Sequence, residues 1–357
     1  MLAWLKRMLT GRKTVSPPAA PVLPIAAARP KPAPPVARPE EMFPVVAPAQ
    51  PSLTCPPELL DRAAAQVLEH FRAHRPGPES FPSNASRIID VIRAREPDFN
   101  KLVQIVGQDA AVASRLLHLA NSSLYAEEVS SIRGAAMRLG LREVGEIALG
   151  FAGRTLFETE VRDQYSLFPH RWDALFHESM TAAFAAGSLA IRARRSQPDC
   201  AFLAGMLHDV GKPIALRALA TLHLDGALDP VVLDLGVGDV VERVHVEIGA
   251  EMTETWSLPE SLRVVAARHH DLEVPADAPD LHLVRVVDSL RHARAGTLTE
   301  LGRVQLLAGA GALGLGDADL RVAATEYAEL AGRVATIFQV RDPYAVKERP
   351  AAQRRAG

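Results

Sequence analysis

An adjacent histidine and aspartate, His208 and Asp209, lie within the largely apolar segment 204–212. Burying such a pair costs free energy unless each group finds a partner. A metal ion is one such partner, because imidazole nitrogen and carboxylate oxygen are ligands for zinc, iron and manganese. An aspartate can also bridge two ions through its two oxygens, as in a two-metal hydrolytic centre. A buried pair joined only by hydrogen bonds is the alternative that this dipeptide leaves open.

Other potential ligands share these apolar surroundings. They are His177, His245, His269, His270 and Asp288. Each lies in, or at the end of, a stretch with helical hydrophobic spacing. Taken singly, each is explained better by an ordinary core or surface role. Taken together with His208 and Asp209, they offer enough nitrogen and oxygen ligands for a metal centre.

Helices must position these side chains, because helical hydrophobic spacing recurs along the body of the chain. The clearest case is the apolar stripe within residues 320–338, with Asp317 placed to cap that helix. Residues 110–120 also have the pattern of a buried helix. Alternation typical of strands is scarce, and residues 231–235 are the best strand candidate. The sequence therefore predicts an all-α fold.

Composition separates a tail from this helical body. Residues 1–39 contain seven Lys and Arg and no Asp or Glu, so the remainder of the chain has a net charge of −9. Residues 17–57 hold 14 of the 27 prolines, which predicts a disordered Pro/Ala-rich tail with extended backbone. Residues 1–13 have two interpretations, a short helix that weakly contacts a membrane surface or partner, or a frayed basic terminus.

Several function classes are disfavoured by the rest of the sequence. The acidic body and the 5% aromatic content argue against nucleic-acid binding. Cys55 and Cys200 cannot form a disulfide framework, and no apolar run approaches the length of a membrane-spanning helix. Nucleophile-elbow, glycine-rich phosphate-loop and paired-cysteine zinc motifs are also missing from the sequence. We therefore expect a cytoplasmic protein whose chemistry depends on its histidines and aspartates.

The His208-Asp209 motif belongs to an ordered series of segments, each with a recognisable pattern. In order along the chain, they are residues 109–125, 130–140, 201–212, 245–250 and 256–259. Together with the histidine series, they resemble the HDOD domain, a branch of the HD phosphohydrolase superfamily related to the HD-GYP cyclic-di-GMP phosphodiesterases. The resemblance covers roughly residues 78–275. It implies an all-helical HDOD-like domain with an N-terminal helical lobe and an HD-type helical lobe.

The resemblance also implies a ligand set for two divalent ions, which could be iron, manganese or zinc. The first ion would be held by His177, His208, Asp209 and Asp288. The second would be held by Asp209, His245, His269 and His270, with Asp209 bridging the pair. Asp209 and Lys212 would be the catalytic residues of an active enzyme, Lys212 by stabilising charge on a phosphate. An ordinary surface role for Lys212 is the alternative.

Two functions follow from the resemblance. One is a bacterial signal-transduction or regulatory protein with a metal-competent HD site and signalling protein partners. The other is an active dinuclear-metal phosphohydrolase or phosphodiesterase that acts on a nucleotide or cyclic dinucleotide. Residues 271–275 follow His270 without the Gly-Tyr-Pro motif of HD-GYP enzymes, so the resemblance does not support cyclic-di-GMP itself as the substrate.

The expected organisation has five parts. They are a tail (1–57), an N-terminal helical part (58–160), an HD-like lobe with the metal site (161–295), C-terminal helices (296–345) and a flexible end (346–357).

Overall fold

The structure is a computed structural model that describes residues 42–45, 54–94, 96–121, 128–159 and 161–345. The described residues are 75% helical and contain no strand, which confirms the predicted all-α fold. The 16 α-helices of these residues are α1 Pro57–Ala73, α2 Ser83–Ile92, α3 Phe99–Gly107, α4 Ala110–Ala120, α5 Ile132–Leu139, α6 Leu141–Gly153, α7 Arg162–Leu167, α8 Pro169–Ala193, α9 Pro198–Leu207, α10 Gly211–Leu224, α11 Pro230–Leu235, α12 Val237–Thr255, α13 Glu260–Arg268, α14 Pro279–Ala295, α15 Glu300–Leu313 and α16 Asp317–Phe338.

Most of the predicted tails, including the short helix expected over residues 1–13, lies outside the described residues. Two pieces of the predicted N-terminal tail are described. Phe43 is only 2% exposed and packs into a hydrophobic cluster of the helical body, and Cys55 is buried just before α1. A proline-rich composition therefore does not prevent single apolar side chains of this segment from packing against the fold. No helix among the described residues has both the length and the apolar character needed to cross a bilayer.

The strand expected over residues 231–235 is wrong, because this segment forms α11. The side chain of Asp229 accepts a hydrogen bond from the backbone nitrogen of Val231 at 3.0 Å, and Pro230 occupies the first turn. An N-cap acceptor followed by proline is a strong helix-start signal. That signal outweighs the strand preference of the β-branched residues that follow it.

The capping role expected for Asp317 is also corrected. Gly316 is the N-cap of α16, and the carboxylate of Asp319 accepts a hydrogen bond from the backbone nitrogen of Gly316 at 3.0 Å. Asp317 instead begins the helix. Its charge there lies in the first turn, where a negative charge is favourable to the helix dipole.

Two clusters of buried apolar side chains hold the helices together. The larger one draws on helices from α1 to α14 and on α16, and it includes Leu102, Ile147 and Val244. The second cluster is formed mainly by the C-terminal half of α8 with α14, α15 and α16. Because α8 contributes to both clusters, this 25-residue helix connects the two parts of the core.

Two glycines allow close contacts between the helices that carry the candidate ligands. A Cβ atom added to Gly205 on α9 would lie 2.5 Å from the carbonyl oxygen of Ala182 on α8. A Cβ atom added to Gly211 at the start of α10 would lie 1.9 Å from the carbonyl oxygen of His245 on α12. Both distances are far below van der Waals contact. These glycines therefore fix the turn between α9 and α10 against its neighbours.

Glu146 on α6 is a buried carboxylic acid with 5% of its surface exposed. Burial raises its pKa from 4.5 to about 7, and the guanidinium of Arg142, 3.7 Å away, offsets this only in part. The folded protein therefore holds a proton on Glu146 at pH values where the unfolded chain has released it. As a consequence, stability should fall as pH rises between the two pKa values.

We expect a Glu146→Gln variant to remove this loss, because the amide stays neutral. A pKa difference of about 2.5 units corresponds to at most about 3 kcal/mol. The variant should be close to the parent in stability near pH 5 and more stable than the parent near pH 8, by up to about that amount. Urea denaturation of both proteins at the two pH values measures the difference. A constant difference across pH would contradict the prediction.

Candidate metal centre

Six of the seven candidate ligands come from four different places in the helical body. His208 and Asp209 lie in the short turn between α9 and α10. His245 lies on α12, and His269 and His270 follow directly after the last residue of α13. Asp288 lies on α14. Close packing of these helices brings residues that are up to about 80 positions apart in the sequence to one buried point.

Four of the residues form what we call the histidine group. Its members are Asp209, His245, His269 and His270, and one ligand atom from each lies within 4.8 Å of the others. Asp209 Oδ1 is 3.3 Å from His245 Nε2 and 3.4 Å from His269 Nε2. His245 Nε2 and His269 Nε2 are themselves 3.4 Å apart. Three of the four side chains are buried, and His270 reaches the surface.

Backbone contacts determine which ring nitrogens of this group are free. His245 Nδ1 lies 2.9 Å from the carbonyl oxygen of Glu242, and His269 Nδ1 lies 3.0 Å from that of Val265. A carbonyl oxygen only accepts hydrogen bonds, so each Nδ1 must carry the proton. In a neutral ring, Nε2 is then a lone-pair donor. Two such nitrogens therefore face each other and the carboxylate of Asp209, an arrangement that a cation stabilises.

Three residues form a second set, which we call the carboxylate group. Its members are His208, Asp209 and Asp288, again with ligand atoms within 4.8 Å of one another. His208 Nδ1 lies 2.8 Å from the carbonyl oxygen of Gly205, and its Nε2 lies 3.3 Å from Asp209 Oδ2. Asp209 therefore faces the histidine group with one oxygen and the carboxylate group with the other.

Orphaned polar atoms show that these residues fit a metal ion. His208 Nε2 and Asp209 Oδ1 are buried and have no hydrogen-bond partner. Buried polar atoms without a partner are costly, and a divalent cation would satisfy both kinds of atom. Mixed imidazole and carboxylate donors are typical ligands for zinc, iron and manganese. The chemistry of the donor set therefore agrees with metal binding.

Two fixed cations also contact the carboxylates. Lys212 Nζ lies 2.9 Å from Asp209 Oδ2 and 2.8 Å from Glu242 Oε1, and the lysine is only 2% exposed. Arg291 contacts Asp288 Oδ1 through Nε at 3.0 Å and through a terminal nitrogen at 2.9 Å. Both contacts are short, charge-assisted interactions. Both carboxylates of the carboxylate group therefore already have a cationic partner.

The histidines titrate differently on the two sides of Asp209. Burial lowers the pKa of His245 to about 4 and that of His270 to about 3, the second with a contribution from His269. For His208, burial alone would lower the pKa, but the carboxylate of Asp209 outweighs it and raises that pKa above its usual value. His245 and His270 are therefore neutral at physiological pH, as metal ligation requires.

The carboxylates are held in their charged forms. Burial alone would raise the pKa of Asp209, but the nearby His208 and Lys212 hold it well below its usual range. Burial opposes ionisation of Asp288 as well, and Arg291 reverses that effect and lowers its pKa. Both aspartates therefore present negative oxygen atoms to any ion.

The structure does not bring His177 to either group. Its Nε2 lies 2.9 Å from the carbonyl oxygen of Ala331 on α16, and its Nδ1 is buried without a hydrogen-bond partner. Since α8 carries this ring towards α16, the structure leaves its predicted role as a metal ligand without support. The other six predicted ligands all belong to one or both groups.

Sequence reasoning missed Glu242, which pairs with Lys212, and Arg291, which pairs with Asp288. Each stands three positions from a predicted ligand, Glu242 before His245 and Arg291 after Asp288, and therefore on the same face of its helix. That spacing was a signal available in the sequence. The sequence does not indicate which of the many charged helix residues turn inward.

Two cavities flank the centre. A cavity of about 350 Å³ lies between α14 and α15 and is lined in part by His270, Asp288 and Gln305. A second cavity of about 210 Å³ is lined in part by Lys212, Glu242 and Arg291. His270 and Asp288 are therefore accessible to small molecules from the larger of these two cavities.

Comparison with known proteins assigns the chain to a family. A sequence profile described as the HDOD domain matches residues 79–272, more than half of the chain. The protein belongs to the HDOD domain family. This confirms the resemblance noted in the sequence and explains the order of its motifs.

Solved structures show the same fold for this HDOD protein. An HDOD domain protein from Geobacter sulfurreducens is 24% identical with a TM-score of 0.56, over 79% of this chain and 100% of that chain. A proposed metal-dependent phosphohydrolase from Shewanella amazonensis SB2B is 20% identical with a TM-score of 0.51, over 75% of this chain and 99% of that chain. At these identities, the likeness supports the fold.

A curated relative matches over a shorter stretch. An uncharacterized protein of Treponema pallidum (strain Nichols) is 28% identical over 207 residues. The match covers 54% of this HDOD chain but only 38% of the relative, so the chain spans well under half of that protein's length.

Proposed function

We propose that this HDOD protein is a regulatory signal-transduction protein that holds a divalent metal ion at the histidine group. The observation that carries the proposal is the convergence of lone pairs from His245 and His269 on the negative oxygen of Asp209. Each ring directs Nδ1 to a backbone carbonyl, so the two Nε2 atoms and Asp209 Oδ1 face one another at 3.3–3.4 Å. A divalent ion would turn this repulsion into ligation.

The regulatory part of the proposal is supported by the ion pairs around the carboxylate group. A two-metal hydrolytic centre needs both halves of the site for its ions. Here Lys212 and Arg291 already engage the oxygens of Asp209 and Asp288. The centre then acts as a stable, metal-organised core, and the helical surfaces serve partners in signalling. Those partners would be signalling proteins, in keeping with the HDOD relationship.

A metal-dependent phosphohydrolase is the second candidate function. The observation in its favour is the cavity of about 350 Å³, which exposes one ligand from each group, His270 and Asp288. Two ions, as the resemblance implies, would supply a water of lowered pKa to a phosphoester in that cavity. Lys212 would have to leave its ion pairs to contact a phosphate.

One experiment separates the two functions. The protein is reconstituted anaerobically with Mn²⁺, Fe²⁺ or Zn²⁺ and dialysed, its metal content is measured by elemental analysis, and hydrolysis of bis(p-nitrophenyl) phosphate is then assayed. We expect stoichiometric metal and no turnover above an equally treated His245→Ala variant. Turnover that depends on His245 would favour the hydrolase, and a protein that retains no ion would contradict both functions.

A further inference from the structure

We infer that the protein binds a single divalent ion, at the histidine group, and that Lys212 and Arg291 keep a second ion out of the carboxylate group. This inference rests on the proposed function and makes it specific, because it states how many ions the centre holds. It departs from the two ions that the resemblance implies.

The fixed charges around the two groups limit the number of divalent ions that the centre can bind. Four carboxylates are in ionic contact around the centre, those of Asp209, Asp288, Glu242 and Glu178. Two cations, Lys212 and Arg291, contact them. Counting only these carboxylates and cations, the set carries two negative charges in excess. One divalent ion brings it to neutrality.

A second divalent ion would leave two positive charges in excess. Asp209, Lys212 and three of the four histidines are buried, so solvent compensates such an excess poorly. An uncompensated charge in a buried site is strongly disfavoured. The balance therefore limits the centre to one ion when no additional anion is bound.

The number of ligands and the partners of their oxygen atoms indicate which group binds that ion. The histidine group offers four ligands, and Asp209 Oδ1, the oxygen that faces it, has no hydrogen-bond partner. The carboxylate group offers three ligands, and its oxygens Asp209 Oδ2 and Asp288 Oδ1 are engaged by Lys212 and Arg291. The histidine group therefore has more ligands and less competition.

The contacts of Lys212 oppose its movement away from Asp209 to admit a second ion. Its ammonium is held between Asp209 and Glu242 at 2.9 and 2.8 Å, and the side chain is almost completely buried. Displacing it would break two ion pairs and leave Glu242 without this partner. His177, which the resemblance places beside the first ion, contacts Ala331 instead and is not available as a fourth ligand.

The test is the metal stoichiometry of the full chain. The protein is loaded with Mn²⁺ in phosphate-free buffer, because phosphate could compensate a second ion. It is then dialysed and examined by elemental analysis and by electron paramagnetic resonance. We expect about one Mn²⁺ per chain, with the hyperfine pattern of an isolated ion. Two ions with the spectrum of a coupled pair would overturn the inference, whereas no bound ion would contradict the proposed function itself.

Charge variants test the cause. A Lys212→Gln/Arg291→Gln double variant should gain a second ion, raising the content to about two per chain. Arg294→Gln is the matched control: Arg294 lies on the same helix as Arg291 but pairs with Asp342, so this variant should stay at one ion. A folded double variant that also stays at one ion would overturn the role of the two cations.

A third variant keeps the test decisive if the double variant does not fold. Asp288→Asn removes a ligand that only the carboxylate group uses, and it should still bind about one ion per chain, with an affinity lowered only by the loss of one negative charge. Loss of that ion, with circular dichroism showing a folded protein, would place the metal in the carboxylate group and overturn the inference.

Discussion

Replacing His269 with alanine should abolish stoichiometric metal binding. His269 Nε2 faces both Asp209 and His245, and its Nδ1 is held by a backbone carbonyl, so the ring is already oriented for ligation. Loss of residues that merely orient ligands costs about 10–100-fold in metal affinity, and loss of a direct ligand should cost at least about 100-fold. Isothermal titration of the metal-free protein with Mn²⁺ or Zn²⁺ measures the change.

His177→Ala is the matched control, since it removes another buried histidine of the predicted ligand set. Its ring contacts the carbonyl of Ala331 rather than either group, so the variant should lose some stability but keep the affinity for the ion. Both variants are compared per folded molecule, with circular dichroism as the measure of folding. If His177→Ala abolished binding and His269→Ala did not, the centre would lie elsewhere.

The second large effect is expected from Gly211→Ala. A methyl group there would lie 1.9 Å from the carbonyl oxygen of His245 and 2.8 Å from the backbone nitrogen of Gly249. Both neighbours are backbone atoms of α12, so α10 and α12 must separate to accept it. We expect a loss of about 3 kcal/mol or more in the free energy of unfolding, at the upper end for overpacked sites. Because Asp209 and His245 lie at this contact, metal affinity should fall as well.

Gly311→Ala provides the opposite expectation for the same chemical change. Gly311 lies within α15, and a Cβ atom added there would meet no atom within 4 Å. Alanine in a helix should be more stable than glycine by about 0.5–1 kcal/mol. Urea denaturation of both variants beside the parent measures the two changes. Equal effects would mean that the contact at Gly211 does not limit the packing of α10 on α12.

The structure places Lys212, the lysine that follows the His-Asp motif, in two ion pairs. In the sequence, Lys212 resembles a residue that would face the phosphate of a substrate. In the folded protein, it lies between Asp209 and Glu242, where it neutralises a carboxylate that would otherwise attract an ion. A residue type that suits phosphate binding can thus also form buried ion pairs with carboxylates. Glu242, one of the two partners of this lysine, lies 30 positions away in the sequence.

The sequence by itself determined the helical class of the fold and six residues that the structure brings together. Helical hydrophobic spacing depends only on near neighbours, so the helix over residues 317–338 was readable from the chain. The order of the motifs identified the HDOD domain, and with it His208, Asp209, His245 and Asp288 as candidates. The strand expected over residues 231–235 was wrong because a local cap outweighed composition.

Only the tertiary structure decided where each candidate side chain points. His177 has the residue type and chain position of a ligand, yet its ring contacts Ala331, a residue 154 positions away. Lys212, Glu242 and Arg291 resemble many other charged helix residues until packing buries two of them beside the aspartates. The physical reason is that helical spacing specifies a face, whereas the partner of that face depends on contacts between helices distant in sequence.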